Sequence, residues 1–93
     1  MVLRKKLTIR NRQGLHARPA ALFVRLASKF DSEITVRRGR EKVNGKSIMG
    51  ILMLGCEKGS QIELLVEGKD AQKALQELSL LVTEELVRLE KEG

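Results

Sequence analysis

The chain has 93 residues, the length of one small domain, so residues 1–93 are interpreted as a single domain. Lys and Arg outnumber Asp and Glu by 18 to 12, and the resulting net charge of +6 favours anionic partners without choosing among them. Aromatic residues are scarce (two Phe, no Trp or Tyr), which argues against a surface on which nucleic-acid bases stack. The chain has a single cysteine, and no apolar run resembles a signal peptide or is long enough to span a membrane, so a cytoplasmic protein is predicted.

The N-terminal part of the chain is predicted to form a strand and then a helix. Apolar and polar residues alternate over residues 3–10, which indicates a half-buried strand, and residues 11–14 (NRQG) are typical of a turn. From Ala17 the period changes to that of an amphipathic helix, with Pro19 in its first turn. Residues 31–32 are predicted to end this helix. Its apolar face comprises Phe23, Leu26, Ala27 and Phe30.

The middle of the chain is predicted to form two strands and a short helix. Alternation over residues 33–37 indicates the second strand, and a tight turn at residues 38–39 leads into a third strand over residues 40–43. Ser47 is a natural N-cap for an apolar helix over residues 48–54. The hydroxyl of this serine is therefore expected to accept a hydrogen bond from the first helical turn.

The C-terminal part is predicted to be a fourth strand and a long helix. Apolar residues alternate over residues 62–66, and Asp70 is placed to cap the helix that follows. The predicted buried stripe of that helix comprises Ala71, Ala74, Leu75, Leu78, Val82, Leu86 and Leu89. The order β-α-β-β-α-β-α predicts an α+β fold in two layers, with the helices on one face of the sheet and solvent on the other.

The single histidine, His16, lies where the first turn leads into the first helix. Most helices have Ser, Thr, Asp or Asn at this position, so here the amides of Ala17 and Arg18 lack an obvious side-chain cap. Free amides at the positive end of a helix dipole bind phosphate, and the Arg18 guanidinium can bind the same group in a bidentate manner. Imidazole is a nucleophile near neutral pH, which makes His16 a candidate phosphate acceptor. The alternative is a surface histidine beside a solvated arginine.

No metal site is predicted, because the chain has no second histidine and no cysteine cluster. The chain also lacks the nucleophile elbow of serine hydrolases.

The second candidate is the segment around Ser47, residues 44–50 (NGKSIMG). The simpler interpretation is an N-capping serine on a core helix. However, the helix is apolar nearly all round, and a short helix on a sheet buries only one face, so an exposed apolar patch suited to docking is expected. A phosphate on Ser47 would add about −1.5 to −2 charges at the helix N-terminus, where the helix tolerates them and an acidic partner does not.

The motifs GLHARPA (residues 14–20) and GKSIMGILMLG (residues 45–55), at the separation they have in this chain, closely resemble the HPr family of phosphotransferase-system phosphocarriers. The resemblance extends over residues 3–89 and implies an open-faced sandwich, a four-stranded antiparallel sheet with three helices on one face. It implies that His16 carries phosphate on Nδ1, that Arg18 steadies it, and that no cofactor is needed. The donor would be enzyme I, charged from phosphoenolpyruvate, and the acceptors enzyme IIA proteins or domains. Such a protein is a stoichiometric phosphoryl carrier rather than an enzyme.

The resemblance also implies a regulatory site. Ser47 matches the serine phosphorylated by HPr kinase/phosphorylase, a transcription regulator is a further candidate partner, and the matching docking residues are Ile48, Met49 and Leu52. Residues 43–60 are also similar to the nitrogen-related branch of the family, so sugar uptake and nitrogen regulation both stay open. The presence of His16 disfavours a Crh-like relative, which lacks the active histidine.

Three functions are therefore compared. The leading hypothesis is a phosphoryl carrier, and the second is a regulatory protein that acts mainly through Ser47 and partner binding. The third, a basic nucleic-acid-binding module, is disfavoured because aromatic platforms are missing. A monomer is the default expectation.

Overall fold

The chain folds as four strands and three helices in the expected order, and the computed structural model describes residues 1–92. Gly93 of the expected domain lies outside the described residues. The four strands form one antiparallel sheet in the order β1-β4-β2-β3. The predicted α+β sandwich is thus confirmed. The strands are β1 (Leu3–Thr8), β2 (Glu33–Arg38), β3 (Glu41–Asn44) and β4 (Gln61–Glu67).

The helices are α1, α2 and a C-terminal helix of three consecutive segments. None of them, within residues 1–92, has the length and apolar character needed to cross a membrane. The helices comprise α1 (Ala17–Ala27), α2 (Ile48–Met53) and the C-terminal helix made of α3 (Ala71–Leu80), a π-helical turn (Leu81–Glu85) and α4 (Leu86–Glu92).

The hydrophobic core lies between one face of the sheet and the helices. Val36, Leu64 and Val66 of the central strands are fully buried against helical residues such as Phe23 and Leu78. Burial of each such side chain contributes about 1.5–3 kcal/mol to stability. On the other face Arg37 donates from Nε to Glu63 Oε1 at 3.0 Å, in a row of polar residues.

Several predicted boundaries are wrong by one to three residues, among them the end of β1 at Thr8 rather than residue 10 and that of α2 at Met53 rather than residue 54. Helix α1 ends at Ala27, because the amides of Lys29 and Phe30 bond to carbonyls three residues back and tighten the chain into a turn. Phe30 is nevertheless buried. The hairpin turn is at residues 39–40, not 38–39, because Gly39 adopts the left-handed conformation (φ +62°) that the turn requires.

Asp70 does not cap the C-terminal helix with its side chain, contrary to the prediction. Its backbone (φ −103°, ψ 24°) is not in the extended conformation of a capping residue. The carboxylate instead accepts hydrogen bonds from the amides of Asp31 (2.9 Å) and Ser32 (3.0 Å) and from the Ser32 hydroxyl. These bonds, led by that of the Ser32 hydroxyl, hold the pKa of Asp70 below its usual value.

The C-terminal helix contains a π-helical turn that was not predicted. From Ala74 onward its buried apolar positions are four residues apart, whereas an α-helix turns every 3.6 residues, so a purely α-helical stripe would drift around the helix. The wider π turn absorbs this drift. Ser79 and Thr83 also bond back to the carbonyls four residues earlier, which bends helices. The stripe that results is Ala74, Leu78, Val82 and Leu86.

Candidate functional site

The first turn of α1 begins at His16 without a side-chain cap. His16 occupies the N-cap position in an extended conformation (φ −111°, ψ 162°), and its side chain is partly exposed. Within residues 1–92, the amides of Ala17 and Arg18 donate to no acceptor. Pro19 has no amide hydrogen, and the first turn contains no acidic side chain. Two free amides and an imidazole therefore share one positive helix end.

Ala17 adopts a backbone conformation that the sequence did not predict. Its φ of 42° is left-handed, and it is the single non-glycine residue with a positive φ within residues 1–92. Such a conformation costs on the order of 1–2 kcal/mol for a residue with a Cβ. Strain of this kind concentrates at functional sites. An alanine gives no sequence signal of it, since glycine or asparagine is the usual residue there.

The segment before His16 is held by close backbone packing against the loop after α2. Gly14 has a φ of +65°, and a Cβ there would lie 2.2 Å from the carbonyl oxygen of Cys56. The same oxygen accepts the Leu15 amide at 2.9 Å. Cys56 is fully buried, and burial raises the pKa of its thiol, so the side chain is a packing group.

Arg18 is exposed and lines a shallow hollow between α1 and the C-terminal helix, together with Arg12, Pro19 and Glu90. Within residues 1–92 its guanidinium forms no hydrogen bond and no salt bridge. The guanidinium is thus available to an anion held on the neighbouring amides.

Helix α2 presents the apolar residues that the sequence predicted to be exposed. The Ser47 hydroxyl accepts the Gly50 amide at 3.1 Å, which confirms the predicted cap, while Ile51 faces the core. Arg38 donates to the carbonyls that follow the helix and holds its C-terminal end. The α2 apolar patch comprises Ile48, Met49, Leu52 and Met53, which are 41%, 66%, 37% and 74% exposed. Met53 is the most exposed of the four and was not among the predicted docking residues.

The histidine and the α2 apolar patch lie on neighbouring elements. Helices α1 and α2 pack together, and the chain returns to Leu15 through Cys56, three residues after α2 ends. Ser47 begins α2, so it lies about 9 Å along the helix axis from its other end. The structure thus gathers His16, Ala17 and Arg18 at one point and sets Ser47 apart on the adjacent helix.

One contact near His16 was not predicted. The carboxylate of Glu90, in α4, accepts the backbone amides of Arg12 and Gln13 in the turn before the histidine. The sequence carries no local signal of this contact, because the place of Glu90 depends on the π turn at residues 81–85.

Comparison with known proteins places these features in a family. The model of the PTS HPr component phosphorylation site matches residues 3–84. The HPr-like protein Crh of Bacillus subtilis is 41% identical over 85 residues, which cover 91% of this chain and 100% of that protein. The phosphocarrier protein HPr of Treponema pallidum is 48% identical over 77 residues, covering 83% and 88%.

A solved structure agrees with the fold. The crystal structure of HPr-C-His from Thermoanaerobacter tengcongensis superposes with a TM-score of 0.88 at 46% identity, over 90% of this chain and 94% of that one. The match therefore extends over most of the chain, and residues 3–84, which the family model matches, include both helix starts that carry the candidate residues.

Proposed function

Because the chain belongs to the HPr family of phosphotransferase-system phosphocarriers, we propose that His16 accepts a phosphoryl group from phospho-enzyme I and passes it to an enzyme IIA protein or domain. The observation that carries this proposal is the uncapped start of α1. There His16 is followed directly by the amides of Ala17 and Arg18, which have no acceptor within residues 1–92, and the Arg18 guanidinium forms no ion pair in the same part of the chain. The imidazole is the nucleophile, and the amides and guanidinium are the hydrogen-bond donors, that transfer of a phosphoryl group needs.

The chemistry proceeds by attack of an imidazole nitrogen, Nδ1 by family resemblance, on the phosphorus held by the donor. The nitrogen–phosphorus bond forms as the bond to the donor breaks, and the reverse exchange occurs on the acceptor. Negative charge is spread over the three phosphoryl oxygens during transfer. The amides of Ala17 and Arg18 and the Arg18 guanidinium stabilise that charge without reorganising. The protein ends each cycle unchanged, as a carrier rather than a catalyst.

Docking uses the α2 apolar patch beside the histidine. The patch is apolar and rich in methionine, which adapts to more than one partner surface. The net charge of +6 steers the protein toward acidic partner surfaces, so its association with enzyme I slows as ionic strength rises. The same protein then serves donor and acceptor in turn, as a monomer.

Ser47 is a second phosphorylation site, used for regulation by HPr kinase/phosphorylase. Its hydroxyl caps α2 next to the patch, so a phosphate there places negative charge at the docking surface. That charge hinders acidic partners and favours a transcription regulator with a basic site. The resemblance to Crh as well as to HPr supports this regulatory arm. The carrier reaction is the same in sugar uptake and in the nitrogen-related branch.

Labelled phosphoenolpyruvate and enzyme I test the carrier function. Wild-type protein is expected to gain an acid-labile phosphate, and His16→Ala is expected to gain none. Absence of label on the wild type, or equal label on His16→Ala, would contradict the proposal. Arg18→Ala is a further variant, expected to accept phosphate more slowly because the guanidinium no longer steadies it.

A further inference from the structure

The C-terminal helix reaches back to the start of the chain through Glu90. Its carboxylate oxygens accept the amides of Arg12 at 2.7 Å and Gln13 at 2.8 Å, and Asn11 Nδ2 lies 3.5 Å from Oε2. The Gln13 amide, followed by that of Arg12, holds the pKa of Glu90 below its usual value. One side chain thereby joins residues that are 77 to 79 positions apart.

The turn that Glu90 contacts, residues 11–14, leads directly to His16; we call it the active-site turn. Asn11 is 1% exposed and donates from Nδ2 to the carbonyl oxygen of Gly14 at 2.9 Å. Within residues 1–92, Glu90 is the one acceptor for the amides at positions 12 and 13. The conformation of the active-site turn therefore depends on this carboxylate.

The π turn explains how the C-terminal helix positions Glu90 beside the active-site turn. The buried stripe at positions 74, 78, 82 and 86 repeats every four residues, and Glu90 continues that series. Without the wider turn at residues 81–85, an α-helix would rotate position 90 away from this line. π turns of this kind recur at functional sites. Glu90 also lies beyond residue 84, where the match to the family model ends.

Glu90 leaves Arg18 unneutralised although both line the same hollow. Within the part of the chain that the structure describes, no salt bridge joins them. The carboxylate is committed to backbone amides, while the guanidinium stays free for phosphate. The arrangement can thus order the active-site turn without weakening the anion site.

We propose that Glu90 is a positioning residue for phosphoryl transfer, which holds the active-site turn so that His16 meets the incoming phosphorus at the correct angle. This inference rests on the proposed role of His16 as phosphate acceptor. Docking through the α2 apolar patch does not involve Glu90. Its loss should therefore slow the transfer step and leave the affinity for enzyme I unchanged.

Enzyme I turnover, with this protein as the phosphoryl acceptor, separates these two effects. For Glu90→Gln, kcat is expected to fall by roughly ten- to a hundredfold, the effect of a small misplacement of the reacting group, while KM stays at the wild-type value. Amide hydrogen exchange is expected to accelerate about tenfold at Arg12 and Gln13, since their acceptor is weakened. The matched control is Glu92→Gln, which removes the same charge from an exposed residue of α4 bonded only to Arg88.

The possible outcomes test the positioning role of Glu90 separately from the proposed carrier function. If Glu90→Gln turns over at the wild-type rate, or if Glu92→Gln slows transfer equally, the positioning role is wrong and the carrier function stands. A rise in KM with unchanged kcat also contradicts the positioning role, because it would place Glu90 in docking. If wild-type protein accepts no phosphate, the proposed function itself fails.

Discussion

The amide of Leu15 donates a hydrogen bond to the carbonyl oxygen of Cys56 at 2.9 Å. Leu15 immediately precedes the histidine, and Cys56 lies in the loop that follows α2, so this bond fixes the start of α1 against the neighbouring helix. Both residues are fully buried. The backbone just before His16 is therefore anchored in the core, while the His16 side chain is partly exposed.

Gly14→Ala should destabilise the protein more than Gly39→Ala. Both glycines have left-handed φ angles, +65° and +62°, so alanine at either position introduces strain of about 1–2 kcal/mol. At Gly14 the added Cβ also meets the Cys56 carbonyl at 2.2 Å, whereas nothing lies within 4 Å at Gly39. Overpacking should add about 1–3 kcal/mol at Gly14. Urea unfolding measures the difference, and equal losses would contradict the close approach.

Ser47→Asp should slow phosphate uptake from enzyme I while leaving the fold intact. Aspartate is a good N-cap, so it preserves the bond to the Gly50 amide and adds negative charge beside the patch. Ser47→Ala is the control: it removes the cap, costs about 0.5–2 kcal/mol of stability, and should leave the transfer rate unchanged. An unaltered rate in Ser47→Asp would count against the charge account of regulation.

Asp70→Asn should lower the free energy of unfolding at neutral pH and make that free energy less dependent on pH in the acid range. Because the pKa of Asp70 in the folded protein is below its ordinary 3.8, the carboxylate contributes stability above that pH, and this contribution is lost as the pH falls through the folded value. The stability gap between wild type and variant should therefore close in acid. Thermal unfolding across a pH series measures it. Asp31→Asn is the control, since that exposed carboxylate forms no hydrogen bond within residues 1–92; a constant gap would refute the prediction.

Met49→Glu should raise the KM of enzyme I for this protein by about tenfold, corresponding to roughly 1.4 kcal/mol of binding. The substitution places a charge in the middle of the α2 apolar patch, where Met49 is 66% exposed. Leu80→Glu is the matched control, because Leu80 is also exposed but lies on the C-terminal helix beside Lys5 and Gln76. Equal effects of the two changes would indicate that the patch has no special role in docking.

The sequence predicted most of the fold because each element carries its own period or cap. Residues 33–37 alternate, Ser47 caps α2, and Pro19 lies in the first turn of α1, so local physics and tertiary structure agree at these positions. The failures lie where tertiary contacts override local preference. Asp70 is a good capping residue by type, yet its carboxylate is used by a loop 38 residues away.

The candidate site was predictable in part. The missing cap at His16 and the nearby guanidinium of Arg18 can be read from residue types alone. The left-handed conformation of Ala17 cannot, because its side chain gives no hint of it. Nor can the contact from Glu90 to the active-site turn, which depends on how a π turn rotates the end of a long helix.

The central claim is that the uncapped start of α1 holds phosphate on His16, and the amide chemical shifts of the phosphorylated protein test it most directly. After treatment with phosphoenolpyruvate and enzyme I, the amide signals of Ala17 and Arg18 should move strongly downfield, as expected for amides that donate to a phosphate oxygen. The phosphate should map to His16. Phosphate on another side chain, or unshifted amides at Ala17 and Arg18, would contradict the account.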